Sequence, residues 1–291
     1  MDHPDELKSP GDVAAREWRP FDNLDRLYLA ATSACCVALS YGISHLLGWP
    51  TFLKHEAGFL AGASPIQGMV AVLLAMFLCV LPATLLLGKL RYDAGLFSAC
   101  IGLAALSNRG GTIAMQLRSA GRSSIYITLS IETILLLGVL VVAWQLLSLL
   151  TRRGWLAPEP PALEGEEAFD FTQALIATLI QAAISAILLM VLVQADNKKQ
   201  VMASVLVASL IGALAAHQVS PLRVSVPYWI GPFIVALIGY LWAIKSPGHW
   251  QIGTPANPLA AASPLDYASL GTAGAIFGYW ISRQWREGLS D

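Results

Sequence analysis

One acidic residue, Glu132, falls inside an apolar run of membrane-crossing length. A carboxylate in hydrocarbon is costly. It persists where it lines a path, carries a proton or ion, or shares its charge with a cation. Three arginines precede it: Arg109 in "SNRGGT", and Arg118 and Arg122 in "QLRSAGRSS". Glycine and arginine ahead of a helix start can hold an anion or a lipid headgroup. A nucleotide-binding P-loop is excluded, because its lysine-serine ending is absent. On a helix starting at residue 125, Glu132 would lie about 10 Å deep. The run from residue 133 to 150 is almost long enough to span alone, which would instead leave Glu132 at the interface beside Arg118 or Arg122. We expect that interfacial, structural arrangement, with the arginines acting as a topology anchor. A proton- or ion-carrying Glu132 is the alternative.

Cysteine is the other reactive residue type. Cys35, Cys36, Cys79 and Cys100 all lie in apolar segments. None has metal-ligand spacing, and no disulfide framework is expected. A thiol nucleophile needs a base or a positive neighbour to form thiolate. Cys100, with Arg91 and Arg109 nearby in sequence, is the candidate. "SACIGL" (98–103) resembles the cysteine motif of exosortase-type membrane transpeptidases, which use a cysteine, an arginine and a histidine on separate helices. His217 is the only later histidine at a helix end. "GTAGAIFG" (271–278) is similar to the nucleophile helix of rhomboid proteases, but Ala273 stands at the serine position. Protease activity therefore does not carry over, and the glycines read as packing. Each resemblance covers a few residues, and membership of neither family is inferred. His45 and His217 are read as interfacial side chains. No catalytic activity, metal or cofactor is expected.

The elements that would hold these residues are membrane helices. The chain has 291 residues, 56% hydrophobic and 13% charged, about half the charge usual in a soluble protein. Such a composition calls for a lipid bilayer as solvent. A net charge of −1 leaves no basic face for nucleic acid. Seven segments reach spanning length: 27–47, 66–87, 125–150, 171–193, 201–218, 229–244 and 267–281. An eighth, 94–107, would cover only about 21 Å, so the expectation is an all-α polytopic bundle of seven spans plus one short or re-entrant helix, with eight spans as the alternative. The expected divisions are a polar N-terminal tail at 1–26, a membrane half at 27–150, a Pro-rich acidic linker at 151–170, a second membrane half at 171–282 and a polar tail at 283–291.

Basic loop residues favour a cytoplasmic N-terminus in either count, and with seven spans they put the arginine segment on that same side. The expected location is a cell membrane, the inner membrane if the source is bacterial. Trp49, Trp155, Tyr228, Trp229, Trp250 and Trp285 fall near segment ends, as interfacial aromatics do. Small residues at four-residue spacing predict packing seams: Ala30, Ala34, Ala38 and Gly42; Ala174, Thr178, Ala182 and Ala186; Ser204, Ala208, Gly212 and Ala216; Gly274 and Gly278. The reading that follows is a structural or accessory membrane component, partnered by lipid and another membrane protein. Two alternatives stand beside it: a small ion- or proton-coupled transporter using Glu132, and a membrane thiol enzyme centred on Cys100.

Overall fold

A computed structural model describes residues 23–47, 58–60, 65–87, 93–120, 124–152, 170–246 and 253–287. Arg122, Trp49, Trp155, Trp250 and nearly all of the 151–170 linker lie outside the described residues. The described secondary structure is helical. It comprises α1 (Asn23–Leu46), α2 (Pro65–Leu87), α3 (Ala94–Arg109), a short α4 (Ile113–Ala120), α5 (Ser124–Arg152), α6 (Phe171–Leu192), α7 (Lys198–Val219) and α8 (Val226–Lys245). A ninth helix, α9, covers 264–287: an α-turn at Pro264–Asp266, a π-turn at Tyr267–Gly271, and an α-helix at Thr272–Glu287. Six of these, α1, α2 and α5 to α8, are long and apolar enough to cross a bilayer. The chain is a multi-pass membrane protein. Helix is the natural choice there, because it satisfies every backbone group within one segment.

Pairs of contacts fix how the helices run. We call the end of the bundle where α1 starts the near end, and the other the far end. Arg109, closing α3, donates to Ser44 Oγ in the last turn of α1 at 2.8 Å. Ser33 and Ser98 meet at 3.1 Å in the same register, so α1 and α3 are parallel. Asp93, just before α3, accepts from Trp280 Nε1 of α9 at 3.1 Å. Ser107, near the end of α3, donates to Asp266 at the start of α9. Hence α3 and α9 are antiparallel along their full length. α9 in turn lies parallel to α7, joined by Lys198 with Asp266 at 2.8 Å and by His217 with Ser282 at 2.9 Å. Since α7 has spanning length, α9 and α3 traverse the bundle as well.

Eight traversing helices, with α4 at the far end, match the alternative count rather than seven plus a half-helix. The arginine segment consequently lies at the end opposite the start of α1, not on the N-terminal side. At 16 residues α3 is about 24 Å long, below the ~30 Å of hydrocarbon. Protein covers it: Leu96, Ala99, Cys100 and Leu106 are wholly buried. A helix wrapped by other helices does not have to match the lipid.

The seams divide. On α7, Ser204, Ala208, Gly212 and Ala216 are all buried. A Cβ added at Gly212 would stand 2.9 Å from the Gln181 carbonyl oxygen of α6. Ala174, Thr178 and Ala182 of α6 are buried too. Gly274 and Gly278 of α9 press on the Leu206 and Leu210 carbonyls of α7. The stripe on α1 is different. Ala30, Ala34 and Ala38 are exposed, and nothing approaches Gly42 within 4 Å. α1 packs through Cys36, Ser40 and Ser44 instead. Tyr228 and Trp229 are also not interfacial, being fully buried in the apolar core.

Candidate functional site

The sequence "SPLD" at 263–266 builds the starting point of the site. Pro264 takes the first helical position, and Ser263 and Asp266 form a reciprocal capping box. The Asp266 carboxylate accepts from Ser263 N and Ser263 Oγ, both at 2.8 Å. Ser107 Oγ from α3 donates to its other oxygen. Lys198 Nζ completes the set at 2.8 Å and also reaches Ser263 Oγ at 3.2 Å. A carboxylate so supplied, at a positive helix end, is stable although only 1% of its side chain is exposed. Lys198 opens α7, where the helix dipole disfavours a cation. The Asp266 partner accounts for its placement.

Glu132 sits in the third turn of α5 and is wholly buried. One carboxylate oxygen accepts from Leu60 N at 3.2 Å, the neighbouring Phe59 backbone N–H also attracts the carboxylate, and Gly58 packs against the side chain. The other oxygen has no partner among the described residues. Lys198 is close enough to attract it electrostatically. Tyr240 of α8 lies within electrostatic reach of both carboxylates and of Tyr126 and Tyr267. Its hydroxyl donates to the Ala262 carbonyl at 2.6 Å, and Tyr267 donates to the Leu259 carbonyl at 2.7 Å. Asn257 ties this loop to α8 by donating to the Gly239 carbonyl at 3.0 Å. The result is a far-end cluster of Glu132, Asp266 and Lys198, with tyrosines as its walls. It holds two acids and one amine where lipid alone would tolerate none of them.

The other anticipated residues among those described do not join it. Arg109 stacks 4.2 Å over Tyr41 and binds Ser44. Arg118 donates to the Gly253 carbonyl at 3.3 Å. The described ion pair is Lys198–Asp266, rather than Glu132 with an arginine. Cys100 is buried in the apolar core with Cys36 and Cys79. His217, by contrast, binds Ser282 at the near end, stacked edgewise on Tyr228 and Tyr279. Among the described residues no group of three or more His, Cys, Asp or Glu could hold a metal. Sequence reasoning missed Asp266 and Lys198 because both fall just outside the segments read as spans. The Ser-Pro-Leu-Asp cap was the signal that could have found the first. The chain matches no known protein family, and no curated protein or solved structure is detectably similar to it.

Proposed function

We propose that this protein is a small proton- or cation-coupled membrane transporter in which Glu132 is the exchanging carboxylate. The carrying observation is its second oxygen, buried and without a partner among the described residues, at the same end as a fully supplied Asp266–Lys198 pair. A carboxylate kept only for structure has both oxygens occupied, as Asp266 does. A group that takes up and gives back a proton needs a free acceptor site. In this reading Lys198 supplies a fixed positive charge, and the tyrosines shield the cluster from lipid. Arg118, one of the two arginines expected beside an interfacial Glu132, binds the Gly253 carbonyl instead.

We also place the near end, with the N-terminus, in the cytoplasm of a cell, and the Glu132 cluster towards the outside. With eight traverses, the segments joining the near end carry more of the 18 basic residues than those joining the far end. The location in a bacterial inner membrane belongs to the same proposal. In a background without the native cysteines, Gly110→Cys should react with an impermeant thiol reagent outside intact cells, whereas Trp285→Cys should be protected. The opposite pattern would invert the orientation, and labelling of both would remove the eight-traverse topology.

The functional test uses the purified chain in liposomes holding a pH-sensitive dye. An imposed proton gradient should dissipate faster than in empty liposomes, and Glu132→Gln, inserted to the same level, should abolish the difference. Equal rates for the protein and Glu132→Gln would end the reading.

A further inference from the structure

At the end opposite the carboxylate cluster, α1, α3 and α9 leave a half-open lateral groove of about 590 Å³. Its volume lies within the roughly 300–1,000 Å³ range of small-molecule sites. Leu29 of α1, Phe97 and Ile101 of α3 and Phe277 of α9 form its wall. The wall is aromatic at its centre, with the Phe97 ring 6.2 Å from Phe277 and 5.1 Å from Trp280. Ser33 also lines it, with its hydroxyl taken up by Ser98; the charge lies at the near-end mouth, where Arg26 from the first turn of α1 and Gln284 from the last turns of α9 meet the groove. Arg26 is exposed there. Trp285, next along α9 and 57% exposed, marks the depth at which aromatic residues sit among headgroups.

We propose that this groove binds one phospholipid with an anionic headgroup. One acyl chain lies along the Phe97–Phe277 wall, and the phosphate faces Arg26 and Gln284. The polarity of the groove runs in the direction a lipid requires, apolar at depth and cationic at the mouth. A protein segment would need polar partners along its backbone, and the wall offers hardly any. Charge selects the headgroup: a guanidinium at headgroup level favours phosphate-rich anionic lipid over a zwitterion. The site is independent of Glu132, which lies at the other end of the bundle.

Native mass spectrometry of the full chain, loaded from micelles holding equimolar phosphatidylglycerol and phosphatidylcholine, tests this. One phosphatidylglycerol should be retained with about fivefold preference, the factor expected from one basic residue near a headgroup. Arg26→Gln should bring the two lipids to parity while the thermal midpoint stays unchanged. Ala30→Trp, and independently Leu29→Trp, should fill the groove and remove retention of both. Equal retention by the unaltered chain, a preference that survives Arg26→Gln, or undiminished retention in the tryptophan variants that fold would each overturn the proposal. Disulfide cross-linking between copies through Ala30→Cys would overturn it too, by placing a second copy in the groove.

Discussion

Helices α3 and α9 both traverse the bundle, and neither is among the six helices that are long and apolar enough to cross a bilayer, for opposite reasons. α3 is apolar but only 16 residues long. α9 is long enough across 264–287 but carries Asp266, Ser269, Thr272, Ser282 and Arg283, all wholly buried. Each is covered by neighbouring helices over most of its surface, so neither has to meet lipid all round. α3 uses that freedom in length and keeps an apolar interior of Leu96, Ala99, Cys100 and Leu103. α9 uses it in composition and becomes the polar axis of the C-terminal half. Polar groups in a membrane are therefore safest on a helix face that other helices cover. Glu132 follows the same rule on α5, whose outer face carries exposed Ile131, Ile134 and Leu135.

This contrast predicts that α9 is more sensitive to substitution than α3. The largest loss should follow Lys198→Met, which strands Asp266 as a buried unpaired charge. About 3–5 kcal/mol is expected in equilibrium unfolding from mixed micelles. Lys198→Met with Asp266→Leu should recover most of it, and a double variant no better than the single would show that the pair does not act as a unit. Next comes Gly278→Leu, which forces α9 off the Leu210 carbonyl. It should cost about 1–3 kcal/mol, whereas Gly42→Leu, into open space, should change little.

Ser107→Ala links the two helices. It removes a hydrogen bond to a charged group but leaves Asp266 with its other donors, so about 1.5 kcal/mol is expected from the same unfolding measurement. The smallest effect should come from Cys100→Ala in α3, about 1 kcal/mol of lost burial, with proton flux in liposomes unchanged. A Cys100→Ala chain that unfolds as readily as Lys198→Met would erase the distinction between the helices. Lost flux in a stable Cys100→Ala chain would restore the thiol to functional standing.

Some of this was legible in advance. Seven apolar segments of spanning length announce helices, because hydrocarbon permits little else, and the glycines of α7 and α9 announce close contact. The alanine stripe of α1 carried the same pattern yet faces outward. Spacing puts residues on one face but does not say which face meets protein. Glu132 was visible as a costly carboxylate, though its partner was not.

The sequence by itself determined the solvent, the helical class and the presence of one acid within a span, since each follows from local composition and backbone chemistry. Only the tertiary structure decided that α3 traverses, that Asp266 and Lys198 join Glu132 at one end, and that Arg109 and Arg118 bind elsewhere. Glu132, Lys198 and Asp266 are far apart along the chain, and no local pattern encodes their meeting. It depends on the direction of every helix from α5 to α9, and whether the 16-residue α3 crosses decides at which end, relative to the start of α1, the cluster lies. What settles that crossing is burial by its neighbours.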